Sequence, residues 1–152
     1  MTEPRWLDDR EMAVWTSFLA AGHLVARRVE QQLKEDAGLS HPQYEILVHL
    51  SGAPGGELRM TELADLLVTS KSGLSYQVGQ LEKAGFVRRR SCPTDDRGVI
   101  AGLTEQGREK LRDAAPGHVA AVRETLIDVL TRDQLAVLAE GLGAVGRRLR
   151  GG

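Results

Sequence analysis

Short polar and basic side chains lie on one face of a predicted helix at residues 70–84. Leu74, Val78 and Leu81 recur at helical spacing and are expected to face a core. Side chains on the opposite face could reach base edges in a DNA major groove, where a glutamine can pair with adenine through two hydrogen bonds. The free amides of a helix N-terminus also attract phosphate. An ordinary exposed polar helix face is the alternative interpretation. The candidate DNA contacts on this helix are Ser70, Lys71, Ser72, Ser75, Tyr76 and Gln80.

A run of three arginines at 88–90 precedes a turn-forming segment at 93–98. Neighbouring strand residues point to opposite faces, so either the outer two arginines face phosphates while the middle one faces the protein body, or the reverse. Arg97 is the strongest single candidate, because a guanidinium at a hairpin tip suits the negative potential of a narrow minor groove. Asp95 is expected to hold that tip by a turn hydrogen bond or by pairing with Arg97; plain turn chemistry is the alternative. The hairpin candidates are Arg88, Arg90, Asp95 and Arg97.

Hydrophobic spacing predicts the elements that position these residues. The predicted helices are 10–36, one opening at 40–43, one opening at 61, 70–84, one opening at 104 that is interrupted or kinked at 116–117, and a last one restarting at 131–133. The predicted strands are 86–92 and 99–103. The expected helix caps are Ser40 with Gln43, Thr61, Ser70 or Thr69, and Thr104. The expected inward residues of the second and third helices are Tyr44, Leu47, Val48, Leu50, Leu63, Ala64, Leu66 and Leu67.

These elements predict a mainly α fold with a small β-hairpin wing (α+β). Residues 37–104 are expected to form a winged helix-turn-helix, and residues 1–36 with 105–152 a helical dimerisation region. Both terminal segments carry apolar residues spaced alternately three and four apart. These seams are too extensive for the small winged lobe to cover, so an interlocked dimer built from 6–30 and 116–149 is predicted. An intramolecular helical bundle is the alternative.

Composition narrows the class of protein. The chain has 152 residues and a net charge of −1, so it is no polycation. The charge is uneven, however, because positions 71 to 90 contain five basic residues and one acidic residue. That local excess suits a polyanion-facing surface or a solvated charged face. No run is long enough to span a bilayer, and the acidic N-terminus has no apolar signal core, so a cytoplasmic location is expected. No nucleophile–base pair, glycine-rich phosphate loop or paired carboxylates support an enzyme.

Several local motifs, in this order, resemble the MarR family of winged helix-turn-helix regulators. They are Leu39-Ser40-His41-Pro42-Gln43-Tyr44, Leu63-Ala64, Leu81-Glu82-Lys83-Ala84-Gly85-Phe86-Val87, Asp95-Asp96-Arg97 and Leu103-Thr104-Glu105-Gln106-Gly107. The resemblance covers about residues 10 to 150. It implies a homodimer that binds a pseudo-palindromic operator in double-stranded DNA, usually as a repressor, and that is released by a small ligand or by thiol oxidation. It also supports Arg97 as a DNA contact.

The residues bear on three kinds of effector: a thiol oxidant, a metal ion and a small organic ligand. Cys92 is a single cysteine whose pKa the arginine run could lower, but it lies on the wing and has no resolving partner, so a structural role is favoured. The histidines show no metal-binding spacing, and no cofactor is predicted. A small organic ligand, typically an aromatic acid, in a cleft between the dimer helices and the winged lobe is therefore preferred. Its candidate contacts are Trp15, His23, His41 and Tyr44, each of which could equally be a core or surface residue.

Two other functions compete with a ligand-released repressor. One is a ligand-independent activator or architectural DNA-binding protein. The other is a winged-helix module that binds proteins and not DNA, against which the polar face at 70–84 and Arg97 argue. The expected partners are an operator, a second copy of the chain and the organic effector, and no membrane.

Overall fold

A computed structural model describes residues 2–151. The α-helices in this part are α1 (Asp9–Ala37), α2 (His41–Gly52), α3 (Met60–Leu67), α4 (Lys71–Lys83), α5 (Glu105–Val122) and α6 (Arg132–Gly151). The strands are β1 (Glu57–Arg59), β2 (Val87–Cys92) and β3 (Asp95–Leu103). The fold class is therefore the predicted one, mainly α with a small β wing.

Most of the predicted helix ends are confirmed. The Ser40 side chain accepts from the Gln43 N–H at 3.2 Å while the Gln43 side chain accepts from the Ser40 N–H at 3.0 Å, which completes a capping box. Thr104 Oγ1 accepts from the Gly107 N–H at 3.0 Å and opens α5. The cap predicted at Thr61 is wrong: α3 begins at Met60, because β1 runs directly into it and Arg59 takes the cap position without a side-chain bond.

The sheet is larger than the predicted hairpin. Its strands are antiparallel in the order β1-β3-β2, so the segment Glu57–Arg59 adds a strand that the sequence did not predict. The predicted turn at 93–98 is too long, because β3 already begins at Asp95. Ser91 pairs with Val99 and Cys92 with Asp95, which leaves residues 96–98 as a bulge in β3. The chain reverses at Pro93 and Thr94 instead.

Two side chains that were predicted to face the core are exposed, and the interruption predicted in the C-terminal helix is absent. Val48 is 40% exposed and Leu66 is 42% exposed, whereas Ile46 is fully buried. Of the two alternatives predicted at 116–117, an interruption or a kink, the interruption does not occur, since α5 continues through Pro116 to Val122. Pro116 is exposed, so water can satisfy the carbonyl that its missing N–H leaves free. The departure from α geometry is a π turn at Arg123–Ile127.

The chain divides into two compact units. The central unit is Glu30–His118 and contains α2, α3, α4 and the sheet. Leucines of these three helices fill its core, together with Val87 and Ala101 of the sheet. Gly107 lets α5 approach the chain before β2, because a Cβ there would collide with the Phe86 carbonyl oxygen. The buried leucines are Leu33, Leu39, Leu47, Leu50, Leu63, Leu74 and Leu81, of which Leu33 belongs to α1 and Leu39 follows it.

The terminal unit combines the segments up to Val29 and from Val119 onward. Its apolar side chains are largely uncovered in the single chain. No residue of α6 is buried within the part described, although α6 has the predicted apolar repeat. On α1, Trp15 is 50% exposed and its ring stacks on that of Phe18 with centroids 6.4 Å apart. No helix among residues 2–151 has the length and apolar content that crossing a membrane would require.

Candidate nucleic-acid interface

A short turn joins α3 to α4, and one face of α4 is exposed to solvent. Val68 adopts the left-handed conformation (φ 53°, ψ 52°), and the Thr69 N–H donates to the Ala64 carbonyl at 3.2 Å. Ser70 then caps α4, since its Oγ accepts from the Gly73 N–H at 3.1 Å. That hydroxyl can still donate its own proton outward, so capping leaves Ser70 able to bind a phosphate oxygen.

The outward face of α4 carries most of the predicted contact residues. Leu74, Val78 and Leu81 are buried as predicted, which fixes the rotation of the helix. Tyr76 is 64% exposed, and Gln80 is half-buried near the C-terminal end. The other exposed candidates on this helix are Lys71, Ser72 and Ser75.

The arginine run is divided between the two faces of the sheet. Arg89 turns to α4, where its guanidinium and backbone N–H both bind Glu82. Arg90 lies on the other face, with its Nε 2.8 Å from Glu57 Oε2. Arg88 shares the face of Arg90 and is exposed. Of the two arrangements that the sequence allowed, the structure has the one in which the middle arginine faces the protein body.

Arg97 lies in the bulge of β3 and is exposed. Its N–H donates to Asp95 Oδ1 at 3.0 Å, so the turn hydrogen bond expected of Asp95 is present. The expectation of a hairpin-tip position is corrected: the bulge, and not the turn, presents Arg97. Gly98 allows this because a Cβ there would lie 2.9 Å from the Cys92 Cβ.

The charge of this surface is concentrated on a few free cations. Ion pairs engage Arg89 and Arg90, whereas within residues 2–151 neither Arg88 nor Arg97 has a carboxylate oxygen within 4.0 Å. Lys71 is likewise unpaired in the described part and stands in the first turn of α4. Fewer cations are therefore available than the number of basic residues in the sequence indicates. Arg88, Arg97 and Lys71 remain free to bind phosphate.

Arg59 belongs to the same surface, although sequence reasoning missed it. β1 brings it to the face of the sheet that carries Arg90, since both residues pair with Ile100 of β3. Its Nη2 donates to Thr94 Oγ1 at 3.0 Å and holds the turn of the hairpin. No sequence signal pointed to it, because a three-residue strand is too short for a period-two pattern.

Cys92 is buried at the base of the bulge, with its Sγ 3.3 Å from Thr94 Oγ1. That hydrogen bond is the main cause lowering the pKa of the thiol, and the positive charge of Arg59 adds to it. The expectation that the neighbouring arginine run would lower this pKa is thus corrected. The burial of the thiol agrees with a structural role.

The predicted ligand contacts fall in both units. Trp15 and His23 belong to the terminal unit and are exposed; His41 and Tyr44 belong to the central unit. His41 lines a cavity of about 210 Å³ between α2, the turn at 68–70 and α4, whereas Tyr44 packs on His118 with ring centroids 4.2 Å apart. Burial raises the pKa of Tyr44.

His41 is held by carboxylates. Its Nε2 lies 2.9 Å from Glu45 Oε1 and its backbone N–H donates to Glu30 Oε2 at 2.7 Å. The hydrogen bond to Glu45 raises the pKa of His41, whereas burial lowers the pKa of His118. No group of three or more histidine, cysteine or acidic side chains in the described part could hold a metal ion.

A helix, a left-handed turn, an exposed second helix and a β-hairpin in this order define a winged helix-turn-helix protein. A profile described as the MarR family matches residues 37–98. This match, together with two similar solved structures of the family that cover 98% of the chain, shows that the chain belongs to the MarR family of transcriptional regulators.

Two solved structures are similar along nearly the whole chain. Sco3205, a MarR family transcriptional regulator from Streptomyces coelicolor whose structure is a complex with DNA, is 46% identical. The match covers 98% of this chain and 93% of Sco3205, with a TM-score of 0.93. AbsC, another MarR family regulator of that organism, is 42% identical, with 98% and 100% coverage and a TM-score of 0.92.

A curated relative gives the same class. MhqR of Bacillus subtilis, an HTH-type transcriptional regulator, is 30% identical over 102 residues, which are 67% of this chain and 66% of MhqR. These relatives are regulators of transcription and not enzymes.

Proposed function

We propose that this regulator binds a pseudo-palindromic operator as a homodimer, represses transcription there and is released by a small organic ligand. The observation that carries the proposal is the exposed polar face of α4 beside a wing whose Arg97 and Arg88 are free of carboxylates. In this assignment α4 enters the major groove and Arg97 reaches the neighbouring minor groove. The DNA-bound state of Sco3205 supports DNA as the partner.

The contacts divide by their chemistry. Lys71 and Ser70, at the N-terminus of α4, bind phosphate, while Tyr76 and Gln80 face base edges. Arg88 binds phosphate from the exposed face of the sheet, and Arg90 does so in competition with Glu57. The remaining assigned contacts are Ser72, Ser75 and Asp95, the last through its hydrogen bond to Arg97.

Dimerisation is supported by the apolar surface of the terminal unit. On α6, Leu142 is 49% exposed and Val145 54%, and on α1 Trp15 is 50% exposed. Large apolar side chains exposed in this number support an interface on the terminal unit. Two recognition units about 34–36 Å apart would then read two half-sites one helical turn apart. We retain residues 1–36 and 105–152 as the dimerisation region and 37–104 as the DNA-binding domain.

The effector assignment extends the same proposal. The candidate contacts of an aromatic acid are Trp15, His23, His41 and Tyr44; the hydrogen bond to Glu45 raises the pKa of His41, which favours its cationic form. Repression and a cytoplasmic location remain predictions that accompany this assignment.

Binding to DNA recovered by in vitro selection tests the proposal. The selected duplex should contain an inverted repeat, bind one dimer by light scattering, and lose affinity linearly on a logarithmic salt scale. A reporter carrying that duplex at its promoter separates a repressor from an activator. Selection that enriches no sequence would overturn the operator assignment, and a panel of aromatic acids that leaves DNA binding unchanged would overturn the effector assignment.

A further inference from the structure

One carboxylate joins the C-terminal end of α4 to strand β2. Glu82 Oε2 accepts the Arg89 backbone N–H at 3.0 Å. Its Oε1 accepts Arg89 Nε at 3.2 Å and Nη2 at 3.0 Å. Both oxygens and three donors are therefore used, and all of them lie within the central unit.

The backbone bond is unusual because of where β2 lies. The order β1-β3-β2 makes β2 an edge strand, whose outward N–H groups have no neighbouring strand. Glu82 supplies the missing acceptor from a helix. The guanidinium of Arg89 then lies along α4, since a Cβ at Gly79 would be 3.7 Å from Arg89 Nη2.

We propose that Glu82 is a positioning residue that fixes the wing relative to α4, so that Arg97 meets DNA while α4 lies in its groove. This rests on the function proposed above. The distance from Arg89 to the end of β2 is about 10 Å, at about 3.3 Å per residue. A tilt of β2 by about 10° relative to α4 therefore moves the end of the wing by about 2 Å. Specific contacts tolerate only about 0.5 Å.

The test is Glu82→Gln, which keeps the size of the side chain. An amide has one acceptor oxygen, so its NH2 must face either the Arg89 N–H or the guanidinium, donor against donor. We expect affinity for the selected duplex to fall on the order of tenfold. Glu35→Gln is the matched control: it makes the same change in charge on an exposed part of α1, and its amide oxygen can still accept the hydrogen bond from Gln31. It should bind like the wild type.

A double-mutant cycle distinguishes positioning from general weakening. Glu82→Gln combined with Arg97→Ala should bind no more than about twofold more weakly than Arg97→Ala alone, because the wing contact is already lost. Combined with Lys71→Ala, its effect should multiply, since that contact is made by α4. Chemical probing adds a direct readout: Glu82→Gln should lose minor-groove protection from hydroxyl radicals and keep major-groove protection of guanine N7 from methylation.

Arg89→Gln provides a second variant if Glu82→Gln does not fold. It removes the guanidinium and keeps the backbone bond to Glu82, so a smaller loss with the same pattern of coupling is expected. Wild-type affinity in a folded Glu82→Gln, or losses that multiply with Arg97→Ala, would overturn the positioning role while leaving operator binding intact. If the wild type itself prefers no sequence, the proposed function falls and this inference falls with it.

Discussion

The wing contact allows the most direct test of the proposed interface. Arg97→Ala removes an exposed guanidinium that has no carboxylate within 4.0 Å in the described chain, so its loss exposes no buried charge and disturbs no ion pair. Its backbone bond to Asp95 is retained, because the donor is the main-chain N–H. The variant should therefore fold normally and lose only what the side chain contributes to DNA binding.

The expected loss follows from the contact and from symmetry. A good specific contact contributes about 1–3 kcal/mol, and a dimer makes it twice, which gives about 2–6 kcal/mol per operator. At 1.4 kcal/mol for each factor of ten, affinity should fall by about 30-fold to 10⁴-fold. Arg90→Ala should cost less per copy, because Glu57 at 2.8 Å already engages that guanidinium and competes with DNA for it.

Fluorescence anisotropy with the selected duplex at physiological salt measures both losses. Arg112→Ala, which removes another exposed arginine of the central unit, is the matched control for charge and should leave binding within about twofold of the wild type. Equal affinity of Arg97→Ala and the wild type would refute a minor-groove role for the bulge. An equal loss in Arg112→Ala would show that net charge, and not position, determines binding.

Three further outcomes test other parts of the molecule. Leu142→Glu, at an apolar position 49% exposed in one chain, should give a monomer mass by light scattering at micromolar concentration; an unchanged dimer mass would exclude α6 from the interface. Val68→Asn should raise the free energy of unfolding by about 0.5–1 kcal/mol in urea titrations, because asparagine tolerates φ 53° better than a β-branched residue; a loss would contradict that strain. The raised pKa of His41 implies stability that is present below pH 6.5 and lost as pH rises through the folded pKa, so Glu45→Gln should lower the melting temperature more at pH 5.5 than at pH 8, and an equal change at both would be contrary evidence.

Strongly periodic segments and helix caps were predictable because their signals are local. The capping box at Ser40 and Gln43, the cap at Ser70 and the inward residues of α4 depend on neighbours within one or two turns. The same local reasoning failed at Val48 and Leu66, where an apolar side chain points away from the core. An apolar residue in a helix does not by itself show which face of that helix the other elements pack against.

The sequence alone determined the order of the helices and of the two hairpin strands, the polar face of α4 and the presence of a basic wing, since each follows from spacing along the chain. Only the tertiary structure decided which of these charges are free. It paired Arg89 with Glu82 and Arg90 with Glu57, it placed Arg97 in a bulge, and it recruited Arg59 through a strand too short to predict. The physical reason is that pairing across strands, and between a helix and a sheet edge, joins residues distant in sequence, so no local pattern records which cation meets which carboxylate.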